Sequence, residues 1–148
     1  MYKHILVPTD GSTLSDRAIK EAVRLAAALG AKVTLLHAAP AQVWPMYAES
    51  AVLMATYSAK ELREETRVHA QELLTKAAQR ARGTGGAVAT ELVIADLPYA
   101  AIVKTAARLK CDLIVMASHG RRGVAGLLLG SETHRVLTHS KVPVLVVR

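Results

Sequence analysis

The sequence predicts an α/β fold: an open sheet of five parallel strands with helices on both faces. Three observations carry that prediction. Short continuous apolar runs alternate with longer amphipathic stretches along all 148 residues. Such alternation implies strands joined by right-handed helical crossovers. The composition is 51% hydrophobic but only 3% aromatic, and its excess of Ala, Val and Leu suits helices and buried strands together. No apolar run approaches the roughly 18 residues that a membrane-spanning helix needs.

His4-Ile5-Leu6-Val7, stopped by Pro8, reads as a fully buried first strand. The turn formers Pro8-Thr9-Asp10-Gly11-Ser12 follow. Ser12 is the expected cap of a helix with the stripe Leu14, Ala18, Ala22, Leu25 and Leu29, ended by Gly30. Lys32–Ala38 is the second strand. Residues 39–51, which include Pro40, Trp44, Pro45 and Tyr47, read as an irregular excursion or flap. A long helix is predicted from about Ser58 to Arg82, with the inner stripe Leu62, Thr66, Ala70, Leu73, Ala77 and Ala81. Gly83-Thr84-Gly85-Gly86 stops it.

Val88–Ile94 alternates in part, with Val88, Thr90, Leu92 and Ile94 on one face, and reads as a half-exposed strand near a sheet edge. Asp96 is the expected cap of the next helix, which has Pro98 in its first turn and Ile102, Ala106 and Leu109 facing inward. Leu113–Met116 is the fourth strand, Ser131–Ser140 a short helix and Val144–Val147 the last strand. No repeat or linker divides the chain, so one domain over 1–148 is expected. Five such strands order themselves as 3-2-1-4-5 or 2-1-3-4-5. The exposure of the third strand favours 3-2-1-4-5, which puts the reversal of strand order between the first and fourth strands.

Several functions are disfavoured at once. Cys111 is the only cysteine, so neither an internal disulfide nor a CxxC pair exists. Met1 runs almost directly into an apolar strand, and the expectation is a cytoplasmic protein without a secretory leader. The net charge is +7, but the basic residues are scattered and many neighbour acids such as Glu61, Glu64, Glu65 and Glu72. With so few aromatic stacking platforms, neither a nucleic-acid nor a membrane partner is expected. HExxH, GxxxxGK[ST] and GxSxG are absent, and no GxGxxG follows the first strand, which argues against zinc hydrolases, P-loop enzymes, α/β-hydrolases and dinucleotide-binding dehydrogenases. His37 reads as a core or pocket-wall residue and His69 as a packing residue. His134 and His139 lack metal-site spacing. Cys111 reads as an apolar filler.

Ligands of open parallel sheets bind beyond the carboxyl ends of the strands, at the reversal. The loops there are Pro8–Ser12 and the glycine-rich Ala117–Ser131. Gly120 allows a close approach to main chain. Gly130-Ser131 opens a helix whose first amides lack internal partners and whose dipole favours an anion. The expectation is a cup of unpaired amides around Gly120, Gly130 and Ser131, beside Asp10. Arg121 and Arg122 would add attraction, and Leu127-Leu128-Leu129 would pack beneath. Asp10 either meets a ligand or braces its own turn. His119 either touches phosphate or shapes the loop through a hydrogen bond of its ring.

Ala117-Ser118-His119-Gly120, nine residues and Gly130-Ser131 resemble Gly-x2-Gly-x9-Gly-Ser/Thr, the nucleotide-binding signature of the universal stress protein family. KHILVPTDGS at the start and KVPVLVVR at the end are similar to that family's first and last strands. The resemblance implies an adenine nucleotide alpha hydrolase-like fold that binds ATP or a related adenine nucleotide. Pro8, Thr9 and Asp10 would line the nucleotide, and Ala38 would lie near adenine. Met116, Ala117, His119 and Gly120 would approach ribose and phosphates, with Gly130, Ser131 and Glu132 completing the cradle. A Mg2+ ion would sit at Asp10 through the phosphates. A homodimer would form through the last strand, residues 142–147. Ala117 replaces the first glycine of the signature, and its methyl is harmless only with ordinary strand dihedrals. The function implied is a stress-response sensor or interaction module whose loop is ordered by nucleotide. The alternatives are a nucleotide-free dimer acting through protein contacts and a slow ATPase using Asp10 or His119.

Overall fold

The strand at the centre of the sheet is built on a short uninterrupted apolar run. In β1 (His4–Pro8), Ile5, Leu6 and Val7 are each fully buried. A computed structural model of the chain describes residues 1–41, 58–83, 85, 87–120 and 129–148. The expected excursion around Trp44 and Tyr47 lies outside the described residues apart from its first three, as do Arg121, Arg122, Leu127 and Leu128. After β1 come α1 (Thr13–Leu29), β2 (Lys32–Ala39), α2 (Ala59–Gly83), β3 (Val88–Ile94), α3 (Pro98–Arg108), β4 (Leu113–Ala117), α4 (Ser131–His139) and β5 (Val144–Val147). The sheet order is β3-β2-β1-β4-β5, and every pairing is parallel. Among the described residues no helix is long and apolar enough to cross a membrane.

The two-residue period of the strands divides the core. Ile5, Val7, Val33, Leu35, Leu113 and Val115 face α1 and α2. Leu6, Leu36, Ile114 and Met116 face Ile102 and Ala106 of α3 and Val136 of α4. β1 has helices over both faces and a strand on each side, so it reads as an uninterrupted apolar run. β3, at one end of the sheet, has Val88 as its only buried residue, and Ile94 is 48% exposed.

Local signals explain most of the helix ends. Ser12 caps α1, its side chain accepting from the Ser15 amide, and Gly30 ends it in the left-handed region at φ 66°. Ser58 and Glu61 form a reciprocal capping box at the start of α2, Ser58 N to Glu61 Oε2 at 2.7 Å and Glu61 N to Ser58 Oγ at 3.2 Å. α3 closes through Cys111 N to Ala106 O at 2.8 Å and Lys110 N to Ala107 O at 3.2 Å, with Lys110 at φ 54° in the position glycine holds in α1.

Three sequence expectations shift. In α2 the buried stripe is Ala70, Leu74, Ala77, Ala78 and Ala81, so Leu74 takes the place expected for Leu73. Burial begins only at Ala70, and His69 is exposed rather than packed. The reason is length: 25 residues of helix run about 37 Å, whereas the eight-residue β2 spans about 26 Å, and the first turns overhang the sheet. In α1, Ile19, Val23 and Ala26 join Ala18 and Ala22 in the buried face, while Leu14, Leu25 and Leu29 are half-buried. Asp96 does not cap α3. Leu97 holds the N-cap position with no side-chain bond, and Asp96 Oδ1 instead accepts from Ala41 N at 3.0 Å.

Candidate functional site

The strand order reverses between β1 and β4, and a cavity of about 330 Å³ opens beyond their carboxyl ends. Its walls come from six elements, with Ser15 of α1 among the lining residues. β1 and its loop supply Pro8, Thr9 and Asp10, and β2 supplies Leu36, His37 and Ala38. β4 and its loop supply Met116, Ala117, His119 and Gly120. α3 contributes Pro98 and Ile102, and α4 contributes Ser131, Glu132 and Thr133 behind Gly130. All eleven site residues expected from the sequence therefore lie in this one lining. The volume falls within the ~300–1,000 Å³ usual for small-molecule sites.

The first loop is held from within. Thr9 N donates to Leu36 O at 2.8 Å, tying β1 to β2 past the last strand pair. Thr9 Oγ1 lies 3.0 Å from Ser15 Oγ and accepts from Gly11 N at 3.2 Å. Asp10 Oδ1 accepts from Ser12 N at 3.0 Å, so the carboxylate braces its own turn as well as lining the cavity. His37 Nδ1 sits 2.7 Å from Thr9 O. A carbonyl only accepts, so Nδ1 carries the hydrogen, and in the neutral ring Nε2 keeps the lone pair.

The second loop closes at its stem. Ser118 N donates to Val147 O at 2.8 Å and Gly130 N to Ser118 O at 2.7 Å. A Cβ at Gly130 would stand 3.1 Å from His119 Cα and 3.2 Å from Ser118 O, so glycine is what lets the two sides of the stem touch. This corrects one expectation: the Gly130 amide is already engaged by the protein and is not part of the anion cup. The amides of Ser131, Glu132 and Thr133 precede the first intrahelical bond of α4, His134 N to Gly130 O at 2.9 Å. They are the ones a ligand could meet.

Two further side chains behave differently from expectation. The Nδ1 of His119 is buried and has no hydrogen-bond partner, so no hydrogen bond of that nitrogen shapes the loop. Glu132 is tied across the helix layer. Its Oε2 accepts from Tyr99 N at 2.8 Å, at the otherwise uncapped start of α3, and its Oε1 accepts from Arg135 at 3.2 Å. Arg135 in turn lies 5.5 Å over the Tyr99 ring. Elsewhere, Cys111 is buried, and burial pushes its thiol pKa up to about 11, the behaviour of a packing residue rather than a nucleophile. Among the described residues no three His, Cys, Asp or Glu side chains gather as a metal site.

With this geometry in place, the profile of the universal stress protein family matches residues 1–148. The chain belongs to the universal stress protein family. A universal stress protein of Methanocaldococcus jannaschii is 35% identical over 148 residues, covering all of this chain and 83% of its own length. The solved universal stress protein UspA of Lactobacillus plantarum superposes with a TM-score of 0.80 at 28% identity, over 99% of this chain and 98% of that one. A universal stress protein crystallised in complex with cAMP gives a TM-score of 0.71 at 31% identity, over 99% and 97% of the two chains.

Within this universal stress protein, the alanine at the head of the glycine signature has a simple place. Ala117 is the last residue of β4, and Lys110 is the only non-glycine described residue at positive φ. Ala117 is buried in the cluster facing α1 and α2, whereas its cavity neighbour Met116 belongs to the cluster on the other face. The extra methyl is thus core packing. Its carbonyl is fixed by Thr133 Oγ1 at 3.0 Å. The lining residues that sequence reasoning missed are Ser15, Leu36, Pro98, Ile102 and Thr133. Pro98 could have been found, since it begins the helix after β3 on the same side of the sheet; the others carried no signal beyond packing.

Proposed function

We propose that the chain binds an adenine nucleotide, ATP or a relative of it, in the cavity beyond β1 and β4, and serves as a nucleotide-responsive interaction module in a cytoplasmic stress response. The observation that carries the reading is the shared lining: Asp10 from one loop meets Gly120 and Ser131 from the other, at the start of a helix whose first amides face no internal partner. Family membership supports it, as does the relative crystallised with cAMP. In this reading Ala38 neighbours the adenine, and Asp10 the ribose. Gly120, Ser131 and the amides behind it receive the phosphates, and His119 Nδ1 gains the partner it lacks. A Mg2+ ion would be held chiefly by phosphate oxygens, with Asp10 as the protein's share. The strand β5 ends the sheet, and Leu145 on it is 43% exposed, which supports a homodimer joined along residues 142–147.

The test is calorimetric titration of the purified, acid-extracted and refolded chain with ATP, AMP and cAMP, each with and without Mg2+, alongside a search of the extract for released nucleotide. Saturable heat with at least one of them is expected. No heat and no thermal shift at millimolar concentrations of all three would leave a nucleotide-free dimer as the function.

A further inference from the structure

The helix α3 begins without a cap of its own. Leu97 holds the N-cap position in extended backbone with no side-chain bond. Amides ahead of the first i→i−4 bond, Ala101 N to Leu97 O at 3.1 Å, need other partners. Pro98 has no N–H, and Ala100 N shares Leu97 O at 3.1 Å. Tyr99 N donates to Glu132 Oε2 at 2.8 Å, so the first turn of α3 is completed by a side chain from the first turn of α4. A carboxylate suits that place, because the starts of two helices both favour negative charge. Its other oxygen accepts from Arg135 at 3.2 Å. Arg135 lies over the Tyr99 ring, and that ring also packs 5.1 Å from His139. Tyr99 is thus held by α4 through its main chain and through its ring.

The tie reaches the ligand through α3. Pro98 and Ile102 stand four residues apart, on one face of that helix, and both line the cavity. With Leu36, Ala38 and Met116 they form its apolar end, where the adenine reading puts the base. We propose that Glu132 is a positioning residue: by capping α3 from α4 it fixes the Pro98–Ile102 wall against which the base packs. The proposal rests on the adenine-nucleotide reading of the cavity. The tie requires reach rather than charge. A side chain too short to meet Tyr99 N leaves that amide without its acceptor, and the wall is in place for a smaller fraction of the time. Apparent affinity falls with that fraction, whether or not the base carries a phosphate.

Two substitutions separate reach from charge. Glu132→Gln keeps an oxygen at the same reach and removes the charge. Glu132→Asp keeps the charge and withdraws it by one methylene. The full chain and both variants are titrated with adenosine and with AMP. The Glu132→Gln protein should bind each ligand about three- to tenfold more tightly than the Glu132→Asp protein, the scale of a lost helix cap, and by a similar factor for the two ligands. Hydrogen exchange at the Tyr99 amide, measured without ligand, should be faster in the Glu132→Asp protein than in the Glu132→Gln protein. Three results would each overturn the proposal while leaving nucleotide binding standing: Glu132→Asp binding as well as Glu132→Gln or better, a difference between the variants seen with AMP and not with adenosine, or equal exchange at Tyr99 in both. Failure of adenosine and AMP alike to bind the unmodified chain would overturn the adenine reading and the proposal together.

Discussion

The Oδ2 of Asp10 stands where a Cβ at residue 120 would have to go. The two loops of the cavity are therefore fitted to each other through a missing side chain. Gly120→Ala is expected to push the Asp10 carboxylate aside and to lower nucleotide affinity at least tenfold, a cost of about 1.4 kcal/mol or more, with little change in melting temperature. Gly130→Ala meets main chain rather than a movable side chain, so it should lower stability as well. Calorimetry and melts on the two variants separate the effects.

The burial of Leu74 at 1% exposure, against a half-buried Leu73, gives two adjacent leucines opposite weights. Leu74→Ala should cost about 2–5 kcal/mol and Leu73→Ala markedly less, measured by urea unfolding. Equal costs would mean that α2 is rotated from the position described.

Asp112 accepts from His4 N at 2.9 Å and Lys3 N at 2.8 Å, bonds that join the start of β1 to the start of β4. These backbone donors, His4 foremost, hold its carboxyl below the usual carboxylate range. A depressed folded-state value means the contribution is complete above the unfolded-state pKa and is lost as pH falls through the folded one. The melting temperature should drop as the pH falls below about 4. Asp112→Asn should melt lower than the parent at pH 7 and lose less on acidification.

Leu145→Lys places a charge on the exposed face of β5, where the monomer tolerates it. If the proposed pairing along this strand holds, sedimentation is expected to report a dimer for the parent chain and a monomer for the variant, with the melting curve of the dilute parent retained. A tight dimer in the variant would exclude pairing along this strand.

How far the sequence reached depended on whether a residue acts with its neighbours in the chain or across the fold. The strand order was legible because β3 is partly exposed where β4 is buried throughout, a difference visible in the apolar pattern. Ser12 and Gly30 were legible because capping is local chemistry. Leu73 was preferred to Leu74 because a stripe of alanines fits two phases of a helix equally well, and only the sheet beneath decides between them. Asp96 had the right spacing for a cap but was drawn to the amide of Ala41, two residues past the end of β2. In the cavity, the residue types and their convergence followed from topology. The loss of the Gly130 amide to Ser118 did not, nor did the grip of Glu132 on α3, because both partners come from the folded chain.

Ser118 opens the glycine loop, and its amide hangs from the carbonyl of Val147 in β5. Whatever displaces that last strand also moves the floor on which a ligand would rest. If two chains meet along β5, occupancy and assembly share one free energy, and each must answer to the other. A crowded protein and a dilute one would then hold the same nucleotide with different tightness.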